Sequence, residues 1–162
     1  KLVIVGAEAL DMAIPLLKEK GIPVIVNSTH RVPMKNDDEV WDAYHLPTKL
    51  VDAGLLVGMF YNDSNWRSRN LPFVAGNAAA FGLSKENALK LVTLNNAKIL
   101  GIDSYVGSLE KGKHATLLVT EGDILDMRTA KVTMAFIQGK SIDLDDKQKR
   151  LYTKYKSKYN IK

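Results

Sequence analysis

Three short runs of continuous apolar, mostly β-branched residues constrain this chain more than anything else in it. They read Leu-Val-Ile-Val at 2–5, Pro-Val-Ile-Val at 23–26 and Leu-Leu-Val-Gly-Met-Phe at 55–60. A strand with one wet face alternates polar and apolar residues, so runs without alternation predict a sheet covered on both faces, the usual state of parallel strands. The connecting segments agree. Residues 9–20 carry a helical pattern ending at Gly21, and a polar loop over 27–45 leads to a short helix over 48–52 and then Gly54. After a loop over 61–72 come a small-residue helix over 75–81, ending near Gly82, and a helix that starts from a Ser84 cap and runs to Val92 with Glu86 in its first turn. Strand, helix, strand, helix, strand predicts an α/β architecture.

From Val106 the texture changes to short strand-like pieces divided by Glu-Lys-Gly-Lys at 110–113 and Gln-Gly-Lys at 138–140, which places a domain boundary near Asp103. The formal charge of +5 arises entirely after residue 144, where Lys147, Lys149, Arg150, Lys154, Lys156, Lys158 and Lys162 outweigh Asp145 and Asp146. Leu151, Tyr155 and Tyr159 fall at i, i+4, i+8 in that tail. This spacing predicts a basic amphipathic helix over 145–162 that packs its stripe on the rest of the protein, with an anionic partner as the rival use. A charge confined to one tail gives no reason to expect a nucleic-acid partner. No apolar stretch approaches the roughly 20 residues of a membrane span, so no membrane partner is expected either. Zero cysteines exclude disulfides and thiolate metal sites. The chain opens directly on a strand-like run without an initiating Met, which leads us to expect a piece of a longer protein.

Two motifs carry a resemblance. The helix ending Asn-Ala-Lys-Ile-Leu-Gly at 96–101 fits the pattern T-x-N-x-A-x-x-L-G, and residues 107–119 fit G-S-L-x-x-G-K-x-A-x-L-x-V. In this order and spacing they resemble the tail of the amidohydrolase superfamily. Val-Pro-Met-Lys-Asn-Asp-Asp at 32–38, Leu46-Pro47, Ala53-Gly54, Arg-Asn-Leu-Pro-Phe at 69–73 and Ala75-Gly76 look most like its imidazolonepropionase and prolidase-like branch. The resemblance implies an α/β fold that is the C-terminal portion of a (β/α)8 TIM-type barrel, followed by strands of a small composite β-sandwich domain and a C-terminal helix. Residues 1–103 would be the last three strand and helix units, 104–144 the small β-domain, and 145–162 the terminal helix. It further implies a metal-dependent hydrolase of non-peptide or dipeptide C–N bonds, with zinc as the divalent metal, a small-molecule substrate and most metal ligands upstream of this chain. Three parallel strands cannot close a barrel, so the chain alone should be inactive, and its exposed strands should meet the remainder of the parent or a second copy. Two rivals stand beside this: a catalytically inactive homologue that binds a small molecule or partner, and a free-standing flavodoxin-like module.

In such a barrel the reacting groups sit at the C-terminal ends of the strands. Three clusters occupy those ends: Gly-Ala-Glu at 6–8, Asn-Ser-Thr-His-Arg at 27–31, and Tyr-Asn-Asp at 61–63 continuing to Arg67 and Arg69. By the resemblance, Gly6 falls where the family has a metal-binding histidine, which glycine cannot replace. The aspartate closing the last strand falls at Asn62 or Asp63. Asp63 would bind the metal and move the proton from the attacking water to the leaving nitrogen; asparagine cannot perform that transfer. His30, Arg31, Asn62 and Arg69 are the candidate substrate contacts, Arg31 through its guanidinium fork to a carboxylate. The plainer alternatives are that His30 and Arg31 tie down the next loop, and that Arg67 and Arg69 neutralise Asp63, which would weaken it as a base. His45 and His114 are not expected to be ligands. Trp66 either walls the pocket or anchors its loop. The Gly-Ala-Glu turn lacks the spacing of a phosphate loop, so nucleotide binding is not expected.

Overall fold

The computed structural model describes residues 2–6, 10, 12–27, 29–33, 36–61 and 65–161, with Asn65 and Trp66 described through their backbone alone. The three apolar runs form one parallel sheet. Strands β1 (Ile4–Val5), β2 (Val24–Asn27) and β3 (Val57–Phe60) lie in that order, with Ile4 beside Val24, Val24 beside Val57 and Asn27 beside Phe60. Val24, Val26, Val57 and Met59 share one face, where they are fully buried with Leu50, Leu91 and Ala75 from the surrounding helices. The opposite face carries Ile25, Asn27, Gly58 and Phe60, and of these only Gly58 is buried. Cover on both faces was the expectation; this chain supplies it fully on one.

The helices begin elsewhere than expected, and each time a proline is involved. α1 spans Ile14–Glu19 rather than starting near residue 9, with Pro15 in the first turn, where its missing N–H costs nothing. Of the expected start, Ala9 and Asp11 lie outside the described residues. α2 spans Asp42–Asp52, so the end of the expected polar loop is helical and Pro47 stands inside the helix, fully buried. Its first turn is closed by the Tyr44 and His45 amides donating to Trp41 O at 3.0 Å. α3 spans Leu71–Ala80, starting four residues early with Pro72 in its first turn. α4 (Lys85–Val92) starts as expected, with Ser84 Oγ accepting from the Asn87 amide at 3.2 Å. α5 (Leu94–Leu100) ends at Gly101 with φ +76°, where the Ile102 amide returns to Ala97 O at 2.9 Å.

The second sheet is antiparallel: β4 (Leu117–Glu121), β5 (Lys131–Ile137) and β6 (Lys140–Ser141). Its strands begin later than Val106. The intervening motif residues instead lock a turn, in which Lys113 Nζ donates to Ser108 Oγ at 2.5 Å and to Glu110 Oε1 at 3.2 Å. The Ser108 hydroxyl and Lys113 hold the Glu110 carboxyl below its ordinary range. The two motifs meet on α5: a side chain at Gly107 would strike Ala97 Cβ at 2.7 Å, and one at Gly58, on the opposite side, would collide with Asn96 Oδ1. Both close approaches need glycine, which explains why helix and turn occur together at fixed spacing.

Between β4 and β5 the chain dips into the core beneath the parallel sheet. Leu125 is buried in the core, and a side chain at Gly76 of α3 would collide with Leu125 O. Lys85 Nζ meets Asp123 Oδ2 at 2.6 Å, and the Leu125 amide donates to Asp123 Oδ1 at 2.9 Å. The terminal helix, α6 (Lys147–Lys158), forms from an Asp146 cap but buries no residue. Leu151, Tyr155 and Tyr159 stay exposed, against the expectation that they pack. Six cations in twelve residues confine the apolar side chains to a narrow arc flanked by charge.

Candidate active site

The register sets the C-terminal ends of the three strands side by side, with Asn27 next to Phe60 and the Gly6 amide donating to Ile25 O at 3.0 Å. The first residues of the three expected clusters, Gly6, Asn27 and Tyr61, therefore stand at the same edge of the sheet. Gly6 ends β1 with φ +102°; Ala7 and Glu8 lie outside the described residues. Asn62 and Asp63, and with them the choice of last-strand carboxylate, also lie outside. Next along the chain comes a 3-10 helix, Asn65–Asn70, that exposes Arg67 and Arg69 at the entry to α3.

The second cluster turns towards α2. The exposed His30 ring lies 5.7 Å from Tyr44, edge to face, and the ring contacts continue from Tyr44 to Phe81 at 4.8 Å and from Phe81 to His45 at 5.1 Å. Trp41 joins both Tyr44 and Phe81. His30 thus stands at the end of β2 against the Tyr44 ring of α2. Arg31 lines a shallow pocket of about 110 Å³ together with Asp38, Glu39, Asp42, His45 and Lys49, and its Nη1 donates to Val32 O at 3.5 Å. Asp42, His45 and Lys49 stand at i, i+3, i+7 on one face of α2. That signal was in the sequence, but it disappears if the helix is started after Pro47. Thr29 carries no such signal: it is 2% exposed, and its hydroxyl has no hydrogen-bond partner among the described residues.

The metal expectation meets a limit at this edge. Among the described residues no group of three His, Cys, Asp or Glu side chains is placed to hold a metal ion. The resemblance had placed most of the ligands outside this chain. Among the described residues, no helix is long and apolar enough to cross a membrane.

The profile of the amidohydrolase family matches residues 48–142. The chain belongs to the amidohydrolase family. An imidazolonepropionase from Syntrophobacter fumaroxidans is 39% identical over 77 residues, which cover 46% of this chain and 18% of that enzyme. A solved amidohydrolase from Thermotoga maritima is 29% identical and superposes with a TM-score of 0.75 over 88% of this chain and 37% of its own. A zinc-bound adenosine deaminase from Xanthomonas campestris, 19% identical, shares the fold with a TM-score of 0.60 over 98% of this chain and 42% of its own. This amidohydrolase chain thus spans less than half the length of each of these three relatives, and it is imidazolonepropionase-like in sequence.

Proposed function

We propose that this chain is the C-terminal part of a (β/α)8 amidohydrolase that hydrolyses a C–N bond in a small molecule, in the non-peptide or dipeptide class. Residues 1–103 form its last three strand and helix units, 104–144 the strands of the small β-domain and 145–162 the terminal helix. The observation that carries this is the level C-terminal edge of the parallel sheet in a chain of this family, with Asp63 three residues beyond the end of β3. Asp63 takes the proton of the attacking water and returns it to the departing nitrogen. Asn62 and Arg69 flank it on the same segment, and Arg31 and His30 line the neighbouring strand end as substrate contacts. The family's zinc, present in the deaminase neighbour, would draw its remaining ligands from outside this chain. The exposed strands would be completed by that remainder or by a second copy.

The experiment is metal analysis with an activity screen on the full-length protein, comparing wild type with Asp63→Ala and Asn62→Ala. Asp63→Ala should lower kcat by about 10²–10⁴-fold, with Asn62→Ala much milder. Full turnover by Asp63→Ala overturns the assignment. No bound metal and no turnover would favour the inactive homologue, a reading motivated by Gly6 at the end of β1. Hydrolysis by purified residues 1–162 with added zinc would refute the view that the chain needs completion.

A further inference from the structure

We infer that α6 is an interaction helix whose occupant is a second copy of this chain, met at the acidic segment 36–42 that leads into α2. α6 forms from its Asp146 cap and buries no residue. At 3.6 residues per turn Leu151, Tyr152, Tyr155 and Tyr159 share roughly 100° of its circumference, with Lys154 and Lys158 along one margin and Lys149 and Lys156 along the other. The Tyr155 and Tyr159 rings stack 6.2 Å apart. Among the described residues, the ion pairs of α6 run only to the residues just before it, Lys149 to Asp146 at 3.8 Å and Arg150 to Asp145 at 3.6 Å. Lys147, Lys154, Lys156 and Lys158 pair with no carboxylate there.

The complement stands on the same chain. Residues 36–44 hold Asp37, Asp38, Glu39 and Asp42 and no cation, and between these acids Val40 and Trp41 are 57% and 54% exposed. Elsewhere surface carboxylates have a cation at hand, as Glu86 has Lys90, Glu121 has Lys131 and Asp123 has Lys85. Asp37, Glu39 and Asp42 have no such partner among the described residues. Arg31 and Lys49, across the shallow pocket, offset part of this charge without reversing it. An exposed tryptophan and valine ringed by acids match a tyrosine stripe margined by lysines in both polarity and sign. Within one chain α6 makes neither an ion pair nor a ring contact with this segment, so the match is between copies. Pairing α6 with α6 would set six cations against six and is disfavoured. Three tyrosines and one leucine offer little area for burial among acyl chains, which favours a protein surface over a lipid one. α2 follows the central strand β2, so whatever completes the sheet adds beside β1 or β3 and leaves the acidic segment clear. If each copy lends its α6 to the other, the pair closes on a two-fold axis.

The test is sedimentation of the full-length protein from about 1 μM to 1 mM, with two charge reversals, Lys154→Glu/Lys158→Glu on α6 and Glu39→Lys/Asp42→Lys on the acidic segment. Wild type should associate as concentration rises, and each reversal should raise the dissociation constant by about tenfold or more. Tyr155→Ala, which removes apolar contact and no charge, should raise it by about fivefold or more. Mixed in equal amounts, the two reversals should associate again, because the acidic α6 of one meets the basic segment of the other and the native pair remains; that recovery also shows both variants to be folded. A wild type that stays monomeric throughout, or association indifferent to both reversals, overturns the inference. A loss caused by the α6 reversal alone overturns it too, and vesicles containing phosphatidylserine that bind wild type but not that variant would then make lipid the occupant. Recovery in one chain carrying both reversals, without recovery in the mixture, would place the contact within a single chain and overturn the inference as well. None of these readouts uses turnover, so the contact and the catalytic assignment of Asp63 stand or fall separately.

Discussion

In the parallel sheet Val24, Val26 and Val57 are fully buried, whereas in the antiparallel sheet Leu118, Met134 and Ile137 are 51%, 53% and 55% exposed. Both sheets have three strands and apolar sequences, and they differ in how the strands are joined. A parallel pair needs a crossover, and here the crossovers and the chain after β3 are helical and pack on the sheet. Hairpins bring no layer of their own. The second sheet is tied to the helices chiefly where Ile124 and Leu125 reach the core beside α3. Its open faces are the side on which the proposed remainder of the barrel protein would pack.

The sharpest way to break this comparison is to remove equal apolar bulk from each sheet's surroundings. Leu50→Ala, beneath the parallel sheet, should cost about 2–5 kcal/mol, and Met134→Ala on the antiparallel sheet less than about 0.5 kcal/mol, both read from urea unfolding. Similar losses would mean that the second sheet is covered in solution. Leu125→Ala should fall between them, at about 2 kcal/mol, and should speed exchange in β4 and β5 more than in β1 and β2. Equal acceleration in both sheets would show that the segment is not a local tie.

The smallest expected effect concerns acid. The Lys85 ammonium, helped by the Leu125 amide, holds the Asp123 carboxyl below its usual range. A depressed carboxyl contributes stability above its unfolded pKa and loses it as pH falls through the folded value. The tie at 122–130 should therefore loosen on acidification before the parallel sheet does, and Lys85→Met should remove that difference. Lys85 is raised by the same pair, so its contribution is complete below the ordinary lysine value and fades as pH rises through the raised one. Simultaneous loosening of both sheets in acid would assign no separate role to the pair, which is well exposed on the lysine side.

Much of this was legible in the sequence. The three strands, their parallel order, the Ser84 cap and the Gly101 stop all arise from runs and signals a few residues long. Helix starts were misplaced around Pro15, Pro47 and Pro72, because proline breaks an interior ladder but sits without cost in a first turn, and at Pro47 burial carries it through. That misplacement hid a cluster of side chains: with α2 begun at Asp42, His45 and Lys49 join Arg31 around one pocket. Nor does local sequence reveal that the His30 ring meets Tyr44 of α2, which in turn meets Phe81.

By itself, then, the chain's sequence determined which segments become strands and helices, and which family's motifs they carry, because those depend on neighbours one to four residues away. Only the tertiary structure decided why Gly58 must lack a side chain, what Asn96 holds and where Leu125 goes. The partners of those residues, Asn96 for Gly58, Met59 for Asn96 and Gly76 for Leu125, stand far off along the chain, 37 residues in the case of Asn96 and Met59. No local periodicity encodes such a pairing; it exists once helices and strands have packed and brought one carbonyl within reach of one amide.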